Sequence, residues 1–236
     1  MTITFSNLIT QISYEMVDTS WDDAYVGYWL NMAIRDYSKY FPLVKIQTIT
    51  TLLNDNQYDL ASDFMDVIAV EYPTGETPPQ YLSRRAFTQP DFWESDYWYD
   101  IIEHKDDTDP DELLISKTTL AADDSIDVHY HGHHALIANP ASVTGNCTVP
   151  VYHHNLLSLY VFWQNALSLA NTEQQSPTSS SSLLMAQLAQ NARRAENAYH
   201  VALQQALYAD RGKSRPVQWV DGGDSRSNDD SMARIY

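Results

Sequence analysis

At Pro42 the chain changes its hydrophobic period, and that switch limits the folds open to it. Over residues 21–42, WDDAYVGYWLNMAIRDYSKYFP, the side chains Val26, Leu30, Ala33, Tyr37 and Phe41 form one apolar helical stripe flanked by Trp29 and Ile34. Ser20 stands where an N-cap is expected, and Asp22 and Asp23 occupy the first turn, where the helix dipole favours anions. Pro42 ends the helix, because proline pushes the residue before it out of the α region. Beyond it, Val44, Ile46 and Thr48 alternate with polar neighbours, a strand-like period of two. Helical patterning returns only at about Val149. A helical scaffold interrupted by a long β region suits a part that docks between other parts better than it suits a catalyst.

The remaining elements follow from the same periodicities. Phe5, Leu8, Ile12 and Met16 predict a first helix over about residues 4–17. Residues 64–72, FMDVIAVEY, are β-rich and close on Pro73, with the turn TGETPPQ after them. Runs at 92–102, 113–118 and 125–135, parted by HKDDTDPDE and LAADDS, predict more short strands in a small antiparallel sheet or sandwich. In the last third, Leu156, Tyr160, Trp163, Leu167 and Ala170 step by four and three. After a Ser-rich loop at 174–182 a second series follows: Met185, Leu188, Ala192, Ala195, Tyr199, Ala202, Ala206 and Ala209. Large side chains facing alanines suit a close antiparallel helical hairpin. Its second helix, about 182–210, would span roughly 40 Å at about 1.5 Å per residue, long enough for a strut or a ring wall. Ala192, Ala195 and Tyr199 lie on the seam; Arg193 and Arg194 flank it, placed either to bridge to an acidic face of a neighbouring copy or to keep the helix soluble.

The expected fold class is therefore α+β. A four-helix scaffold comes from residues 1–42 and 149–210, a β-rich insert from 43–138, and an arm from 211–236. The arm has little periodicity and two anchor-like patches, at 217–220 and 232–236, which reads either as a disordered tail of the free protein or as an arm that folds onto a partner.

Composition narrows the function. With 44% hydrophobic and 12% aromatic residues the chain is globular rather than disordered. The formal net charge is −17, and it is unevenly spread. Residues 1–150 hold seven basic and twenty-four acidic residues, whereas 151–236 hold seven of each. An acidic body lacks the basic footprint of a groove-reading DNA-binding protein. It is compatible with DNA passing close by, because a negative wall repels phosphate and resists sticking. Cys147 is the sole cysteine, so no intrachain disulfide is possible, and a reducing assembly compartment is expected. The start MTITFSNLIT has no basic n-region and no long apolar run, and no segment approaches the roughly 20 apolar residues of a spanning helix. A soluble, cytosolically made protein with no membrane partner is expected.

Catalytic and metal signatures are sparse. In DVHYHGHHAL, the residues His129, His131 and His133 would project from one face of a strand, a donor set suited to zinc or another transition metal. Ligands along one strand sit about 7 Å apart, so sharing an ion needs a bend, which Gly132 could supply as a bulge. The other reading is a solvated or interface-facing histidine strand. Asp107, Asp109 and Asp111 imitate the opening of a calcium loop, but Glu112 stands where that loop needs glycine and Thr118 where it needs glutamate. Only seven glycines occur, with no phosphate-binding loop, dinucleotide fingerprint, nucleophile elbow or zinc-protease motif. Asn146, Cys147 and Thr148 match a glycosylation sequon by chance, Cys147 has no catalytic context, and His153 and His154 read as ordinary first-turn residues. Trp93, Tyr97, Trp98 and Tyr99 either fill the core of a small β domain or, exposed, stack on sugars or form an interface hot spot. No cofactor is expected.

The order of these pieces resembles that of tailed-phage head-to-tail connector proteins, also called adaptor or head-completion proteins. LNMAIRDYSKYFP at 30–42 is similar to their second helix, and DFMDVIAVEYP at 63–73 to their entry into a β region. The hairpin at 149–210, with its Ala-rich last helix and trailing arm, is similar as well. The β region here is larger than in compact adaptors. The resemblance implies a structural virion protein of the neck, assembled in the host cytoplasm. It implies a homo-oligomeric ring beneath a dodecameric portal, extending the DNA ejection channel and presenting a surface to the tail or its nozzle or terminator. By position, the portal-gripping arm would include Arg211, Arg215, Val217, Trp219, Val220, Ile235 and Tyr236. Two alternatives stand beside it: a metal-dependent enzyme on the His129, His131 and His133 strand, and a carbohydrate-binding tail or baseplate module on the aromatic cluster.

Overall fold

Thr4 opens the first helix: its Oγ1 accepts the Asn7 N–H at 3.3 Å, satisfying one of the donors a helix start leaves unpaired. The computed structural model describes residues 3–16, 22–53, 55–95, 97–104, 110–116, 122–140, 142–175 and 181–211. Helix α1 runs Phe5–Glu15 and buries Phe5, Leu8, Ile9 and Ile12. Helix α2 runs Asp23–Tyr40; its cap is Asp22, whose side chain accepts the Ala24 N–H, whereas Ser20 lies outside the described residues. Of the stripe, Val26, Leu30, Ala33 and Tyr37 are buried and Phe41 is half-buried, and the flanking Trp29 and Ile34 are buried as well. A short 3-10 turn at Val151–His153 leads into α3, His154–Gln175, and α4 follows as Ser181–Arg211.

Among the described residues, seven strands fall between α2 and α3: β1 Leu43–Thr50, β2 Gln57–Asp59, β3 Phe64–Glu71, β4 Ser83–Arg84, β5 Trp98–Ile102, β6 Glu112–Ile115 and β7 Ser125–Gly132. They form a three-stranded sheet, β1-β7-β3, and a four-stranded sheet, β2-β6-β5-β4. All pairings are antiparallel except that of β4, which runs parallel to β5 over two residues. The α+β class is the one read from the sequence. The register shifts that bend the three-stranded sheet lie in β3, between Phe64 and Asp66 and between Val67 and Ala69, and not at Gly132.

Two apolar cores result. Helices α1–α4 enclose one, built around Phe5, Leu8, Leu30, Ile34, Leu156 and Val161. The two sheets enclose the other, built around Val70, Tyr99, Leu113, Ile115, Ile126 and Val128. In the helical hairpin, Tyr199 of α4 meets Tyr160 edge-on at 5.3 Å and lies stacked against Trp163 at 6.1 Å, which joins α4 to α3. The Tyr199 Oη also donates to Asp36 Oδ2 on α2 at 2.5 Å, so one side chain ties three helices.

Candidate partner-binding surfaces

The chain leaves the sandwich through residues 133–137, and this crossover is held by polar bonds. Asn31 on α2 pairs with Ile137 as a strand would: its Nδ2 donates to the Ile137 carbonyl at 2.9 Å and its Oδ1 accepts the Ile137 N–H at 2.8 Å. His134 is buried, and its N–H donates to Ser38 Oγ at 3.1 Å. Because the Phe41 carbonyl 2.9 Å from Nε2 can only accept, the ring proton sits on Nε2, and Nδ1 accepts from Thr148 Oγ1 at 3.0 Å. Burial, foremost, holds the His134 pKa below the ordinary imidazole value. Gly132 is needed for close approach: a Cβ there would meet Tyr130 Cε2 at 2.9 Å and the Asp63 carbonyl at 3.1 Å. That carbonyl accepts the His133 N–H.

A cleft of about 800 Å³ opens beside this crossover, lined by Arg35, Lys45, Asp63, His104, Asp111 and His133 among others. Lys45 pairs with Asp63 and donates to the His133 carbonyl at 3.0 Å, so its charge is already neutralised. The His133 Nδ1 is buried with no hydrogen-bond partner among the described residues, and burial followed by the Arg35 charge pushes its pKa down. The cleft is a polar joint between the two cores, with Lys45 and Asp63 paired at its wall.

The three histidines do not converge. His129 and His131 lie on the outer face of the three-stranded sheet, opposite Ile46 and Val44 on β1. His133 is past the end of β7 and turns into the cleft. The strand ends before the third ligand, so the alternation that would have aligned it stops. Among the described residues no group of three or more His, Cys, Asp or Glu side chains is placed to hold a metal ion. Of the acidic run, Asp107 and Asp109 lie outside the described residues, and Asp111 accepts the His104 N–H. Cys147 is buried, which raises its thiol pKa. His153 and His154 are not ordinary first-turn residues: both are buried, with His153 Nδ1 2.7 Å from Tyr37 Oη and His154 Nε2 donating to the Val149 carbonyl.

The aromatic cluster is split by depth. Tyr99 is in the sandwich core, Trp98 is half-buried with the Arg85 guanidinium 4.0 Å from its ring centre, and Trp93 and Tyr97 are exposed. On α4, Ala192 and Tyr199 are buried, Ala195 is half-buried, and Arg193 and Arg194 are exposed. Arg193 borders a groove with Trp163, Leu167 and Ala189. Arg215, Val217, Trp219, Val220, Ile235 and Tyr236 lie outside the described residues; the backbone of Arg211 closes α4.

A feature the period alone does not reveal is the facing of β1. Lys45, Gln47 and Ile49 point toward the sandwich, and Val44 and Ile46 point to solvent. The inward polar groups are satisfied: Gln47 Nε2 donates to the Asp59 carbonyl at 3.1 Å and its Oε1 accepts the Ala61 N–H at 2.8 Å. No helix among the described residues is long and apolar enough to cross a membrane.

Among the described residues the geometry offers faces and joints. No curated protein matches the chain. A family model described as SU10 adaptor protein matches residues 3–219, which takes in every helix and strand of the described residues. By that match the chain belongs to the SU10 adaptor protein family, whose members are structural adaptor proteins of bacteriophages.

Proposed function

We propose that this protein is a head-to-tail adaptor of the virion neck, assembled in the host cytoplasm as a ring, with twelve copies matching a dodecameric portal. The family match over residues 3–219 carries the reading. The architecture supports it: a helical layer with a 31-residue helix that runs directly into a 25-residue C-terminal segment, and a separate β sandwich to meet a second partner. In this reading the helical scaffold of 1–42 and 149–210 carries the inserted sandwich of 43–138, and residues 211–236 grip the portal. The tail, or its nozzle or terminator protein, meets the opposite side. The acidic surface lets viral DNA through without sequence-specific binding, since like charge repels phosphate.

Two measurements test it. Electron microscopy of the chain mixed with its portal should give a twelve-fold ring stacked on the portal ring. Deleting residues 212–236 should abolish that association while leaving the circular dichroism of the body unchanged. Undiminished portal binding by the truncated chain would refute the arm's role.

A further inference from the structure

The outer face of the three-stranded sheet is amphipathic in a way that isolation does not explain. Along the edge strand β1, alternate outward positions are Val44, Ile46, Thr48, Thr50 and, just past its end, Leu52; the three aliphatic ones are each more than half exposed. The inward Lys45 and Gln47 bonds lock this register, so Val44 and Ile46 cannot turn inward by a one-residue slip. Across the same face, register places Asp127 on β7 and Asp66 and Glu71 on β3; Asp127 accepts the Thr48 hydroxyl and Glu71 faces His129, while Asp66 is exposed. The face is therefore an apolar row on β1, bordered by His129 and His131 on β7, with carboxylates beyond them.

Helix α4 carries its complement. Arg194, Val201 and Tyr208 recur every seven residues on the side away from α3, with the exposed Ala198 and Gln205 between them. Val201 and Tyr208 are each more than half exposed. Arg194 has no ion pair among the described residues. The two faces also match in length. Residues 44–52 extend about 26 Å as strand, and 194–208 about 21 Å as helix.

We propose that α4 of one copy packs on the outer face of the β1-β7-β3 sheet of the next copy, Val201 and Tyr208 covering Val44 and Ile46 while Arg194 meets Asp66. Charge selects a second copy in this orientation over a symmetric pair. Sheet on sheet would oppose two carboxylate rows, and helix on helix would oppose two arginines. Residues 43–138 hold nineteen acidic and five basic residues, whereas 151–236 are neutral in sum, so this pairing avoids the repulsion between two acidic regions. A contact between unlike faces leaves each copy one face of each kind, and such contacts end only by closing a ring. The inference rests on the ring proposed above and names the surfaces that join its members.

Full-length Ile46→Cys and Val201→Cys variants, mixed and oxidised, should cross-link to each other, while either variant alone should not; the native Cys147 is buried. Arg194→Glu should weaken self-assembly about tenfold or more, the scale of a like charge brought into an interface. Adding Asp66→Arg to that variant should restore it. Rings visible by microscopy without the mixed cross-link, or unchanged by Arg194→Glu, would overturn these faces and leave the ring standing. No oligomer at any concentration, with or without the portal, would overturn both.

Discussion

His134 reaches the end of α2 and Thr148 at once, its ring between the Phe41 carbonyl and Thr148 and its N–H on Ser38. Because it is buried neutral, its folded-state pKa lies below the ordinary imidazole value, with burial the main cause. Its unfolded imidazole titrates near pH 6.5, so below that value the unfolded chain binds more protons than the folded one. The stability it contributes is complete above about pH 6.5 and is lost as pH falls. His133 is shifted in the same direction, by burial and then by Arg35. Comparing thermal midpoints of wild type and His134→Gln at pH 7.5 and 5.5 checks this: the gap between them should narrow at the lower pH, and a constant gap would contradict it. The sequence showed a histidine-rich strand at this place and pointed to His129, His131 and His133. It gave no sign that His134, one residue on, is the structural one. Its partners are 14 to 96 residues away in sequence, and no local spacing encodes them.

Helix α4 is held by packing and by one charged hydrogen bond. Tyr199 stacks with Trp163, meets Tyr160 edge-on, and donates to Asp36 on α2. Tyr199→Phe keeps the ring contacts and removes only the donor, while Lys39 still pairs with Asp36. The expected loss is about 1.5–3 kcal/mol, the range for a hydrogen bond to a charged group. Urea denaturation should show a lower midpoint with an unchanged slope; an unchanged midpoint would mean the bond contributes nothing. The long elements were legible because each carries its own period. The α2 stripe, the α1 spacing and the two series after Leu156 all became helices, since burying a stripe once every 3.6 residues needs no outside information. The short ones were not: β2 has three residues and β4 two, too few to establish an alternation. Trp98–Ile102 formed a strand, whereas Phe92–Glu94, from the same aromatic run, became a 3-10 turn.

The whole molecule carries a net charge of −17, concentrated before residue 151. Self-repulsion of that size opposes the compact state, and salt screens it. Raising sodium chloride from about 50 mM to 300 mM, across which the Debye length falls from roughly 14 Å to 6 Å, should raise the thermal midpoint by about 2–4 °C per kcal/mol of repulsion relieved. A midpoint that falls with salt would show that attractive ion pairs outweigh the repulsion. At this scale the amino-acid order by itself determined the class of fold, the switch at Pro42, the polarity of charge along the chain and the lack of familiar catalytic motifs. These are local or additive properties, readable from neighbours and counts. Only the tertiary structure decided which side of β1 faces water, that His133 parts from His129 and His131, and that Tyr199 joins three helices. A strand's period of two fixes that its faces differ. Which face lies inward depends on partners distant in the chain, and here Asp59, Ala61 and Asp63 draw the polar side of β1 in and leave Val44 and Ile46 outside.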